Sequence, residues 1–226
     1  MNLSNKNKSS QALWLWLFSI SLLSLLYSHF FLQHYLFMQP CEQCVYVRFA
    51  FSVILCASIV GYFKLGWLKS VAYAFVFWAI FLGFKACLML LHSYEAIKAN
   101  NPFGINACSN TPHFPFKLAL HELLPSLFAI SGSCGFDAPR VSQDAQLSLV
   151  QEFFIGTLEH GFSDGLYSKG WYLLPSFEFV NMATACMLIF GFFLLLSLYS
   201  FVRFALKEYK FGLLTFCLTI SLIFLA

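Results

Sequence analysis

Residues 40–48 read Pro40-Cys41-Glu42-Gln43-Cys44-Val45-Tyr46-Val47-Arg48, and the apolar run that begins inside them continues to residue 63. Two thiols in a Cys-x-x-Cys close a small ring, or one attacks while the other resolves. If a helix starts near Cys41, Cys44 and Arg48 stand one turn apart on the same face. A guanidinium there favours the Cys44 thiolate, because an opposite charge stabilises the ionised form. An arginine at the head of a membrane span is costly unless it meets an anion, a headgroup or a polar ligand.

Around this stretch the chain is overwhelmingly apolar. Of its 226 residues 60% are hydrophobic, 10% are charged and 29 are phenylalanine, with a mean hydropathy of +0.74. A soluble domain of this length cannot hide that much apolar surface. The expectation is an all-α membrane protein, one integral membrane domain over residues 1–226. The net charge of +3 is small and scattered, which argues against a nucleic-acid partner and leaves membrane lipid as the surrounding phase.

Five apolar runs are expected to be helices: about 12–32, 45–63, 71–91, 177–202 and 211–226. The first four make a four-helix transmembrane bundle; the fifth is short for a span and crosses marginally or at a slant. The polar N-terminus leads into a run too long for a signal-peptide core, with no small-residue cleavage site after it, so it is read as a retained span. Lys6 and Lys8, Lys64 and Lys69, and Arg203, Lys207 and Lys210 fall on one side if the spans alternate. That side is expected to be the cytoplasm. The opposite face carries two loops, about 33–44 and 92–176. They hold Cys41, Cys44, Cys108 and Cys134, in a compartment where disulfides persist. In the long loop, residues 116–130 and 147–162 show helical apolar spacing, the first broken at Pro125 and the second ending at Gly161; such helices lie in the interface.

Two cysteine pairs on one face suggest a thiol–disulfide relay, which needs a thiolate, an accessible disulfide and a way to align the sulfurs. Structural disulfides stapling a membrane scaffold or binding surface are the competing reading, and zinc held by Cys41, Cys44, Cys108 and Cys134 is another. A relay that makes disulfides must pass electrons on, and a lipid-soluble quinone beside Arg48 is the obvious acceptor. Snorkelling to a headgroup is the alternative for Arg48 and the preferred reading for Lys85. Cys56, Cys87, Cys186 and Cys217 read as buried free thiols. His92 and Tyr94 read more readily as interfacial belt residues than as the border of an acceptor pocket.

The pattern Pro40-Cys41-x-x-Cys44-x-Tyr46-x-Arg48, with Ser131-Gly132-Ser133-Cys134 later in the chain, resembles the DsbB family of inner-membrane disulfide-forming quinone reductases. The order of elements is similar too: a span, the Cys-x-x-Cys, two spans, a loop with two cysteines, a span. In vitamin K epoxide reductase-like proteins, by contrast, the dithiol sits near the last span. The resemblance implies a four-helix bundle, a ubiquinone or menaquinone acceptor, and a periplasmic DsbA-like thioredoxin-fold partner. By it, Cys108 would form the mixed disulfide with that partner, and Cys134 would pair with Cys108 or, during transfer, with Cys41. Cys44 would face the quinone and Arg48 would belong to the quinone site. Two features depart from the usual member: the extra residues between Cys134 and the fourth span, and the fifth hydrophobic segment. That profile is similar to the DsbI branch, whose partner is a dedicated DsbL-type protein, and the extra loop is expected to narrow partner choice.

Overall fold

The computed structural model describes residues 3–63, 65–101, 109, 111–142 and 145–225, with side chains from residue 11 onward. Among them, four helices are long and apolar enough to cross a membrane. Helix α1 (Leu3–Leu26) continues without a break into a π-helical segment, Tyr27–Tyr35, so the first apolar rod runs from Gln11 to Tyr35. Helix α2 spans Glu42–Tyr62, α3 Gly66–Lys98 and α7 Met182–Lys207, with α8 (Tyr209–Phe224) folded back against α3 and α7. Helix α2 packs on both α1 and α3, and α3 on α7; α1 and α7 touch only sparsely. The chain is therefore a helical, multi-pass membrane protein.

In lipid, helices hold together by close packing rather than by expulsion from water. Here the packing is aromatic. Trp14 and Leu17 of α1, Phe51 and Ile54 of α2, Tyr73 and Ile80 of α3, and Phe190 and Phe193 of α7 form one buried cluster. Phe51 stacks on Phe190 with centroids 4.7 Å apart. Outside it, leucines and phenylalanines such as Leu195, Leu206 and Phe216 lie exposed, as a lipid-facing surface requires.

Several boundaries differ from the sequence expectation. The fourth span starts at Met182, not 177. Residues 172–181 instead form a hairpin of β1 (Tyr172–Leu174) and β2 (Phe179–Asn181), paired antiparallel. Pro175 opens its turn, and the left-handed Glu178 (φ 48°) closes it. Asn181 then caps α7, its side-chain oxygen accepting from the Thr184 amide at 2.9 Å; apolarity alone hid these stop signals.

Helix α3 is 33 residues long, or about 50 Å, against a hydrocarbon core of about 30 Å. It is therefore longer than an upright crossing requires. The amphipathic helix expected at 116–130 is cut into two single turns, α4 (Leu120–Leu123) and α5 (Pro125–Phe128), after left-handed backbone at Phe116 and Lys117. Rather than floating in the interface, this stretch docks on the bundle, with Phe128 buried among Val45, Phe49, Trp78 and Phe114. The second is shorter than expected. Helix α6 (Leu149–Ile155) opens with a Ser148–Gln151 capping box and stops at Gly156, before Gly161.

Candidate active site

Cys41 ends an extended segment and caps α2: its Sγ accepts the Cys44 amide at 3.3 Å. Both sulfurs are free thiols, Cys41 buried and Cys44 partly so. Cys41, Leu90 of α3, Cys134 and Ala183 of α7 form one small buried cluster, with Cys44 and Tyr94 packed against it. The outer-loop cysteine thus lies directly against the motif. Cys134 is disulfide-bonded, and as a disulfide sulfur it offers no thiolate to zinc. Cys108 lies outside the described residues.

Backbone contacts explain how Cys134 is held there. The amides of Ser131 and Gly132 both donate to the Pro40 carbonyl, at 3.1 and 3.0 Å. Gly132 presses so closely on the Gln39 carbonyl that a Cβ would collide with it. The other end of the loop is tied by α2 itself. Glu42 accepts the Ser109 amide on Oε2 (2.8 Å) and the Tyr46 hydroxyl on Oε1 (3.0 Å), while Tyr46 Oη accepts the His113 amide (2.9 Å). Replacing Glu42 with alanine is expected to free that end. The Ser109 and His113 amides should exchange hydrogen faster, by about the 10- to 100-fold that loss of one charged hydrogen bond allows, with the Ser131–Gly132 amides unchanged. Hydrogen–deuterium exchange checks this.

Arg48 is buried, at 5% exposure, so it does not snorkel to a headgroup. Its Nη1 donates to Gln33 Oε1 (2.7 Å) and to the Leu127 carbonyl (3.2 Å), and its Nη2 to the Ser28 carbonyl (3.0 Å). Ser28 and Gln33 come from the π-helical end of α1, Leu127 from α5. A guanidinium has five N–H donors; three are engaged among the described residues, which leaves donors for a ligand. Cys44 and Arg48 share the wall of one cavity, of about 150 Å³, roughly what a single six-membered ring requires. Its other walls include Tyr27 and Leu32 of the first rod, Met182, Cys186 and Ile189 of α7, and Asp137 and Trp171 of the loop. An apolar slot of ring size with a cationic donor and a thiol in its wall fits a quinone head.

The Cys44 side chain beside it, together with burial, pushes the Cys41 thiol well above the usual cysteine range, so Cys41 keeps its proton at neutral pH.

Several residues around the cavity were not singled out from the sequence. Asp137 lies three residues past Cys134, a spacing that is a usable signal. Its Oδ2 accepts from the Tyr94 hydroxyl (2.9 Å) and the Trp171 amide (3.3 Å). Tyr94 is therefore part of the site, whereas His92 is exposed. Trp171 roofs the cavity and donates its Nε1 to Tyr27 Oη at 3.1 Å. Cys87 and Cys186, from different helices, line the same wall; nothing in their spacing announces that. Cys56 and Cys217 are exposed on the outer surface of the bundle, and Lys85 is exposed as a snorkelling residue would be.

A helical membrane bundle that sets a Cys-x-x-Cys at the start of a span, with a disulfide-bonded loop cysteine packed on it, defines a membrane thiol–disulfide oxidoreductase. The family model described as disulfide bond formation protein DsbB matches residues 10–200. Protein-disulfide oxidoreductase DsbI of Campylobacter jejuni subsp. jejuni is 39% identical over 94% of this chain and 80% of its own length. DsbI of Salmonella typhimurium is 40% identical over 80% of this chain and 79% of its own. No solved structure matches this chain. The chain belongs to the DsbB family, and these relatives carry the name of the DsbI branch that the extra loop and fifth helix suggest.

Proposed function

We propose that the protein reoxidises a soluble DsbA-like dithiol protein at the outer face of the bacterial inner membrane and passes the electrons through two cysteine pairs to a membrane quinone. The observation that carries the reading is the burial of Cys134 against Cys41 while Cys44, one helical turn on, opens into the ring-sized cavity beside Arg48. One end of the relay faces the loop and the other faces lipid.

The partner thiolate attacks Cys108, displacing Cys134; the partner's second sulfur then closes its own disulfide. The reduced loop pair reduces the Cys41–Cys44 disulfide by the same exchange, each step forming one S–S bond and breaking one. A bound quinone, ubiquinone or menaquinone, accepts two electrons and two protons and leaves as hydroquinone. Arg48 orients its carbonyl with the donors not committed to Gln33, Ser28 and Leu127. The distribution of Lys and Arg supports a cytoplasmic N-terminus and periplasmic loops, and a dedicated DsbL-type partner is what the resemblance to the DsbI branch implies.

Mixing the protein with a reduced DsbA-like partner and a soluble quinone, and following quinone absorbance, tests the overall reaction; no partner-dependent change overturns it. A reduced partner whose own second cysteine is replaced by serine is expected to accumulate on Cys108 as a mixed disulfide, Cys134 leaving as the thiol, because the partner sulfur that would release it is gone. A non-reducing gel should show the adduct accumulate. Its absence would mean that another sulfur receives the partner.

A further inference from the structure

Oxidising the Cys41–Cys44 dithiol raises a proton problem. In the relay proposed above Cys44 enters as a thiolate; Cys41 is buried and keeps its proton, which must leave as the S–S bond closes and two electrons pass to the quinone. Around the cavity, Arg48 is permanently charged and takes no proton. Tyr27 already accepts the Trp171 indole N–H. Asp137 is the one carboxylate in the wall among the described residues.

We propose that Asp137 is the proton carrier of the quinone step: it takes the Cys41 proton as the disulfide closes and delivers it into the cavity, to a quinone oxygen. The proposal rests on the quinone reading above. Cys41–SH and Cys44–S⁻ become one S–S bond and give up two electrons and one proton. The quinone takes the electrons, that proton by way of Asp137, and a second proton from water at the outer face.

The carboxylate is held on the cavity wall by the loop and by α3. Among the described residues, Tyr94 and Trp171 both donate to Oδ2. Oδ1 lies against Gly170, whose φ of +115° and missing side chain make room; a Cβ there would sit 2.5 Å from it. The charged and titratable groups around Asp137 are Cys41 and Cys44 at the start of α2, Tyr94 from α3, Tyr172 beside Trp171 and, in the same cavity wall, Arg48 of α2 and Tyr27 of the first rod. Burial raises the carboxyl above the ordinary carboxylate range. That brings it toward the pH at which a group both takes and gives a proton. Asp137 and Trp171 bracket the loop that sets this chain apart from the usual family pattern, so the loop completes the reaction chamber rather than serving only as a surface for the partner.

The test uses the full-length protein with Asp137→Asn, which still accepts from Tyr94 and Trp171 but carries no proton, and with Tyr94→Phe. The dithiol form is mixed rapidly with a soluble quinone over a range of pH. Exchange with a reduced DsbA-like partner is measured separately without quinone. Asp137→Asn is expected to slow the quinone step by about 100-fold or more, with partner exchange unchanged. In the wild type the rate should fall as pH drops through the Asp137 pKa, because the base must be ionised. That limb should vanish in Asp137→Asn and move to higher pH in Tyr94→Phe, since the tyrosine hydroxyl stabilises the ionised carboxylate.

A second readout needs no quinone: time-resolved infrared absorption, as a chemical oxidant closes the Cys41–Cys44 disulfide, should show a transient carboxylic C=O band that Asp137→Asn lacks. Wild-type rates and an intact pH limb in Asp137→Asn overturn the proposal. Equal loss of both steps in the two variants also overturns it, by marking a structural residue. If the wild type itself reduced no quinone, the quinone reading would fall. The infrared band would then decide on Asp137 alone, its absence in the wild type overturning the proposal.

Discussion

Serine in place of Cys44 is expected to abolish quinone reduction while the loop disulfide still exchanges with a reduced partner. Of the two motif sulfurs, Cys44 lines the cavity that Arg48 also lines; Cys41 is packed behind it among Leu90, Cys134 and Ala183. A hydroxyl is nearly isosteric with the thiol, so the fold should survive, but it neither ionises near neutral pH nor forms a disulfide. Stopped-flow absorbance of the quinone, with partner oxidation followed in parallel, separates the two steps. Wild-type turnover in Cys44→Ser would remove the sulfur from the relay. A slow residual rate has a specific candidate source: Cys87 and Cys186 stand in the same wall, and adding Cys87→Ala and Cys186→Ala to Cys44→Ser should erase it.

Arg48→Met is expected to weaken quinone binding and slow the quinone step by about 10- to 100-fold, the worth of one hydrogen bond to a charged donor. The change also strands the Ser28 and Leu127 carbonyls and Gln33 Oε1, which now accept from the guanidinium. Some loss of thermal stability should therefore accompany it. Partner exchange, if it runs through the loop sulfurs as proposed, should change little. Lysine should rescue poorly, because one ammonium cannot reach acceptors on α1 and α5 at once and still present a donor to the cavity. Unchanged quinone affinity in Arg48→Met would take the residue out of the site.

The spans and the first half of the site were legible because they are written in local patterns: uninterrupted apolar runs, a four-residue thiol spacing, an arginine one turn on. What stayed hidden depends on contacts between distant segments. Asp137 and Tyr94 are 43 positions apart, and Gln33 meets Arg48 only because the first rod widens to a π-helix and turns its outer end toward α2. The 172–181 hairpin was absorbed into the fourth span because Phe177, Phe179 and Val180 are as apolar as a membrane helix, while Pro175 and Asn181, the residues that stop and restart the backbone, were outweighed. Cys87 and Cys186 looked like isolated thiols for the same reason: each is alone on its own helix, and only the packing of α3 on α7 makes them a pair.

The indole of Trp171, fastened to Tyr27, also determines from which direction a small molecule reaches Cys44. With that ring and Asp137 as a ceiling, the chamber lies between α1 and α7, two rods that barely touch. A quinone entering between those rods would come through hydrocarbon, and its supply would then follow how strongly it partitions into the bilayer rather than its concentration in the surrounding water. Hydrophilic oxidants of equal driving force should find the enzyme closed to them.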